Sequence, residues 1–186
     1  MRVFSEERAY IIAAADELED YLLSGAANWR LTGSESFPPL SPGYVLFFIQ
    51  HLKGISAVDR EYEQIQKALD KIDTVRQQWK MAWKNRVDQE IPQRMRLWSN
   101  YLNELDQTRN LAHPEYRWSV RWRVILALLI KEIDHPDQEI SQRMYALDEQ
   151  LRALSEPGAF IWDKRLEGNF SRTDFWFLYL KMSKSS

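Results

Sequence analysis

The stretch VDREYEQIQKALDKIDTVRQQWKMAWKNRVDQEIPQRMRLWSNYLNELDQTR, residues 58–109, decides the fold. Its apolar residues Val58, Tyr62, Ile65, Leu69 and Ile72 stand alternately four and three apart, which lines one face of an α-helix. Val75, Trp79, Trp83, Val87 and Ile91 continue the seam after a slip in register near Asp73 and Thr74. Ile91, Met95, Trp98, Leu102 and Leu105 then carry it straight across Pro92. A proline inside an unbroken seam predicts a kink or a first-turn proline rather than a chain reversal. The reading is one long, kinked helix over about residues 57–109. At 1.5 Å per residue it would measure roughly 80 Å, against roughly 40 Å across a compact domain of this size. It must therefore bend near Asp73 or Pro92, or the domain is elongated, or the overhang pairs with a second copy. We expect a protruding helix and a homodimer formed along it.

The rest of the chain is also helical in character. No glycine occurs between Gly54 and Gly158, and Pro92, Pro114 and Pro136 punctuate that interval at equal spacing. His113-Pro114 and His135-Pro136 are each followed by an acidic residue, Glu115 or Asp137, which predicts two helix starts. Corresponding positions after Pro114 and Pro136 are apolar (Trp118, Trp122, Ile125, Leu129; Ile140, Met144, Leu147, Leu151). After Pro92 they are polar (Arg96, Asn100, Asn103, Gln107), so the spacing is not a sequence repeat. Tyr116, Trp118, Val120, Trp122 and Val124 also alternate with polar residues, and a strand is the competing reading there. Upstream, Ile11, Ala15, Leu18 and Leu22 predict a helix over about 6–24 that Ser5 would cap. Ser41 with Pro42 predicts the start of a short apolar helix ended by Gly54. Downstream of Pro157-Gly158, Phe160, Ile161 and Trp162 read as an extended segment. Ser171 with Asp174 predicts the cap of a terminal helix through Phe175, Trp176, Leu178, Tyr179 and Met182. The fold class is all-α: a bundle of about six helices, with an irregular, aromatic-rich C-terminal segment and one long loop at 25–41. A length of 186 residues fits one domain, 1–186.

Composition narrows the function classes. Hydrophobic residues are 45% and charged residues 28%, the balance of a globular chain. The longest strongly apolar run, Val124 to Ile130, is far short of the roughly 20 residues that cross a bilayer. The acidic first helix is the wrong electrostatics for a secretory leader, so the expected location is cytoplasmic and no membrane partner is expected. With no cysteine, disulfide, thiolate and zinc-thiolate chemistry are excluded. No glycine-rich phosphate loop or Ser-His-Asp arrangement occurs, and no motif calls for a cofactor.

Four constellations could carry chemistry. The first joins basic and aromatic residues: Lys80, Lys84 and Arg86 around Trp79 and Trp83, with Arg117, Arg121 and Arg123 around Trp118 and Trp122. Cations beside rings can track phosphates and stack bases, so a nucleic-acid module using residues 76–96 with Arg117, Arg121 and Arg123 is one alternative. The second is the abundance of Trp, Tyr and Phe, eight of each, which suits contact surfaces. The third is Glu132 three residues before His135, half of a di-metal helix motif; His51 and His113 lack a matching acid, and the three His read as two caps beside prolines and one surface residue. The fourth is Arg109-Asn110 followed by His113 at a helix junction. That junction, and nothing else in the chain, resembles the RNase motif of the HEPN helical-bundle nucleases. The resemblance implies His113 as acid or base and Arg109 as stabiliser of a pentavalent phosphate. Weighed together, these features favour a non-catalytic binding or assembly module with an aromatic-rich helical surface, acting as a homo-oligomer or on a protein partner.

Overall fold

The long seam forms two helices end to end in a computed structural model that describes residues 4–53, 60–108 and 113–182, with backbone alone at 60, 61, 108, 113, 114 and 182. In chain order the helices are α1 (Ser5–Leu23), α2 (Pro42–Leu52), α3 (Arg60–Gln78), α4 (Lys80–Thr108), α5 (His113–Ile130) and α6 (Gln138–Ala153). Two short strands, β1 (Ser155–Pro157) and β2 (Leu180–Met182), and two 3-10 helices, Lys164–Asn169 and Trp176–Leu178, complete the described residues. The all-α expectation holds. The chain divides into two compact units, 1–90 and 91–186, with the division inside α4.

The interruption between α3 and α4 falls at Trp79, not at Asp73, and the backbone ladder passes through it. Trp79 N donates to Val75 O at 2.9 Å and Trp83 N to Trp79 O at 2.9 Å. Pro92 lies inside α4, which continues past it without a break. Val58 and Gly54 lie outside the described residues.

In the first unit, the Tyr10, Ile11, Ala14, Ala15, Leu18 and Leu22 face of α1 is buried, as are Ile65, Ala68, Ile72 and Val75 of α3. Asp16 meets Lys71 at 2.7 Å, Glu19 meets the Trp79 indole at 2.8 Å, and the Tyr21 carbonyl meets Arg86 at 3.0 Å. These contacts advance in the same order along both segments, so α1 runs parallel to the α3–α4 segment. Ser41 caps α2 as its sequence predicts, its Oγ accepting from Tyr44 N at 3.4 Å, with Pro42 in the first turn. A second cap comes from far along the chain. The buried Glu90 carboxylate accepts from Ser41 Oγ at 2.8 Å and Gly43 N at 2.7 Å, placing negative charge on the positive end of α2. The expected Ser5 cap is replaced by Phe4, with no side-chain cap bond.

In the second unit Ile91, Met95, Trp98, Leu102 and Leu105 are all buried, so the seam predicted from the heptad steps is the core face of α4. α5 is a helix, not the alternating strand: Tyr116, Val120 and Val124, four apart, are buried, while Trp118 keeps 69% of its surface exposed. Asp137 caps α6 by accepting from Glu139 N at 2.9 Å.

The predicted terminal helix is absent. Ser171 Oγ does accept from Asp174 N at 3.2 Å, but only turns and a 3-10 turn follow. Phe175, Phe177, Leu178, Tyr179 and Leu180 are all buried, which no single helical face could achieve. Their carbonyls are also taken: Ile161 N donates to Leu178 O at 3.0 Å and Gly158 N to Tyr179 O at 2.8 Å. β1 and β2 then pair antiparallel, Pro157 opposite Leu180. Gly158 is needed at this crossing, because a Cβ there would lie 2.8 Å from Lys181 N and 2.9 Å from the Leu180 carbonyl carbon.

Candidate binding face

Several of the expected site residues are consumed by the fold. In the first unit Trp83 is buried at 5% exposure, with the Arg76 guanidinium 4.6 Å from its ring centre. Its ring is therefore covered rather than offered for stacking. Trp79 is half-buried and its indole N–H is committed to Glu19. Arg86 closes the end of α1 instead of presenting a charge: it donates to Ala26 O at 2.8 Å, Tyr21 O at 3.0 Å and Ser24 O at 2.5 Å, and lies over the Tyr21 ring. Tyr21 lies in the last turn of α1, where carbonyls lack helical partners, and Ser24 and Ala26 follow it. Lys80 and Lys84 remain exposed.

The histidine reading needs correction at His51, which is not on the surface. It is 6% exposed at the end of α2, its ring 4.2 Å from that of Phe47, and Nδ1–H donates to the Phe47 carbonyl at 2.9 Å. Burial, opposed by that bond, pulls its pKa down to about 4. His135 is exposed, and Glu132 with it follows the end of α5, so the two do not share a helical face. Among the described residues no three His, Asp or Glu gather as metal ligands would. Arg109 lies outside the described residues; His113 opens α5, and its side chain is outside them too.

The second unit divides its cations in an informative way. Arg123 is buried and forms a two-bond pair with Asp148 of α6, Nε to Oδ1 at 2.8 Å and Nη2 to Oδ2 at 2.9 Å, while lying over the Phe177 ring. It is a packing residue. Arg117 is exposed, and among the described residues its side chain makes no hydrogen bond, though its charge acts on Asp163. Half-buried Arg121 sits 5.8 Å from the Trp122 ring centre, and its Nε is buried with no hydrogen-bond partner among the described residues. Trp118, Arg121 and Trp122 stand three and four apart, so they share one face of α5, with Trp118 the most exposed aromatic residue described.

Sequence reading missed the second wall of this face. The Trp162 indole N–H donates to the Arg117 carbonyl at 2.9 Å and so ties the C-terminal segment to α5. Phe170 meets the Trp162 ring edge-on at 5.2 Å, and Phe160 at 6.4 Å. The next residue, Asp163, caps the first 3-10 helix and pairs with Arg165, Nε to Oδ1 at 3.0 Å and Nη2 to Oδ2 at 2.7 Å. Bonds from the Arg165 side chain and backbone N–H, with a smaller contribution from Arg117, hold the Asp163 carboxyl well below the usual carboxylate range. Lys164 is exposed. The only sequence signal was the run Trp162-Asp163-Lys164-Arg165, an aromatic residue next to cations.

The fold and this face together define an all-α protein with a basic, tryptophan-bearing helical surface. No helix among the described residues is long and apolar enough to cross a membrane. No protein-family model, curated protein or solved structure matches the chain.

Proposed function

We propose that the protein is a non-catalytic binding module whose contact surface is the Arg117, Trp118, Arg121, Trp122 face of α5, flanked by Trp162, and whose partner is an acidic protein surface. One observation carries the reading: Trp118 leaves 69% of its area in water on a helix otherwise deeply buried. Covering that ring would contribute on the order of 3–4 kcal/mol before ordering costs. Trp and Arg are also the residues that dominate contact energy in protein interfaces. The cations favour an acidic partner over a second copy of the same face, since two-fold pairing would set guanidinium groups against guanidinium groups.

The test places a photo-crosslinking benzophenone amino acid at Trp118, with the same group at exposed Gln142 of α6 as control. Irradiation in cells is expected to give a protein adduct at 118 that is absent at 142. A self-adduct at 118 would instead identify a homodimer, and a nucleic-acid adduct the phosphate-tracking alternative. Either of these, or no adduct specific to 118, overturns the proposal.

A further inference from the structure

The long loop between α1 and α2 encloses an open cavity of about 560 Å³ lined by Asn28, Arg30, Leu31, Gly33, Ser34, Glu35, Phe37 and Pro39. The loop is held firmly. Glu17 of α1 accepts from the Trp29 indole N–H at 2.7 Å and from Thr32 N at 2.7 Å. Burial would raise the Glu17 carboxyl, but these bonds outweigh it and its pKa is lowered. Leu40 N donates to Trp29 O at 2.8 Å and closes the base of the loop. Phe37 packs edge-on against buried Tyr10 at 5.8 Å. Gly33 turns the chain at φ 108°, a conformation that disfavours other residues.

Walls fixed in this way carry exposed polar groups. Exposed Asn28, Arg30 and Glu35 line the cavity, and their side chains make no hydrogen bond or ion pair among the described residues. Arg30 and Glu35 do not pair with each other, so the cavity presents a cation and an anion separately. Leu31, which is buried, with Phe37 and Pro39 supplies the apolar part of the lining. A site with that pattern matches a molecule bearing a carboxylate, an ammonium group and an apolar body.

We propose that the 28–39 loop binds a small zwitterion of the α-amino-acid class with an apolar side chain, its carboxylate on Arg30 and its ammonium on Glu35. This is independent of the α5 face. The probe is L-phenylalanine, titrated into the full chain by calorimetry. Phenylalaninamide, which lacks the carboxylate, and N-acetylphenylalanine, which lacks the ammonium, are the comparison arms. Binding of the parent is expected in the millimolar range or tighter, and each analogue should bind at least about tenfold more weakly. Arg30→Met and Glu35→Gln change exposed side chains, so both variants should keep the native circular dichroism. Each should cost the parent about tenfold in affinity, and the Arg30→Met protein should no longer distinguish phenylalanine from its amide. No heat from phenylalanine at 10-millimolar order, equal binding of the analogues, or undiminished affinity in both variants overturns the proposal.

Discussion

His51 should make the first unit sensitive to mild acid. Its ring is 6% exposed and its pKa is drawn down by burial from 6.5 to about 4. The folded state therefore keeps the imidazole neutral over a range where the unfolded chain takes up a proton. For a group whose folded pKa is depressed, the linked stability is complete above the unfolded pKa and is lost as pH falls toward the folded one. With a shift of this size the loss is about 1.4 kcal/mol at pH 5.5 and about 3 kcal/mol at pH 4. The comparison protein is His51→Asn, whose amide N–H can replace Nδ1–H on the Phe47 carbonyl without titrating. Urea unfolding, followed by circular dichroism between pH 7.5 and 4, reads the difference. Wild type should lose about 3 kcal/mol more than the variant over that interval, a midpoint shift of about 1.5 M for a slope near 2 kcal/mol/M. Other carboxylates contribute equally to both proteins and cancel in the comparison. Parallel curves for the two proteins would refute a buried, neutral His51.

Glu90→Ala should destabilise the first unit by about 2–4 kcal/mol in urea unfolding, because Ser41 Oγ and Gly43 N lose a buried charged acceptor at the start of α2; a loss below about 0.5 kcal/mol would mean the carboxylate is not the cap. Tyr101 and Tyr116 make a matched pair. The Tyr101 hydroxyl is buried without a hydrogen-bond partner among the described residues, whereas that of Tyr116 donates to Phe177 O at 2.6 Å. Thus Tyr101→Phe should be neutral or stabilising by up to about 1 kcal/mol and Tyr116→Phe should cost about 1–2 kcal/mol, with the opposite order counting against the assignment. Gly158→Ala should cost about 1–3 kcal/mol in thermal or urea unfolding, since its Cβ would collide with backbone on the β2 side rather than with a side chain able to move; unchanged stability would show that the crossing is looser than described.

What could be read from the sequence was local. The α4 seam, the Ser41-Pro42 start of α2 and the Asp137 cap of α6 each follow from residues within a turn or two of one another, where periodicity and capping operate. Glu90 offered no such signal, because its acceptor role depends on Gly43, forty-seven positions earlier. The C-terminal segment failed for a different reason. Between Phe175 and Leu180 the residues are apolar without a break, so they carry no period, and Ile161 and Gly158 claim carbonyls that a helix would need. A capping box then marks a turn rather than a helix.

The binding face shows why function is harder to read than fold. Periodicity assigns Trp118 and Trp122 to the same stripe as Ile125 and Leu129, yet it fixes only the angle around the helix and not the depth along it. The stripe is fully buried at Ile125 and Leu129 and open at Trp118. Charge has the same ambiguity. Arg86 and Arg123 look in sequence like Arg117 and Arg121, and what separates them is a distant acceptor: carbonyls at and just beyond the end of α1 for one, Asp148 for the other. Buried Arg123 and half-buried Arg86 are both met by such acceptors, so the fold accounts for them. The Arg117 side chain is exposed and, among the described residues, makes no hydrogen bond, its charge acting on the Asp163 carboxylate, and it adjoins the ring that the fold leaves in water. Its exposure beside Trp118 is the physical ground on which that face is proposed as a contact surface.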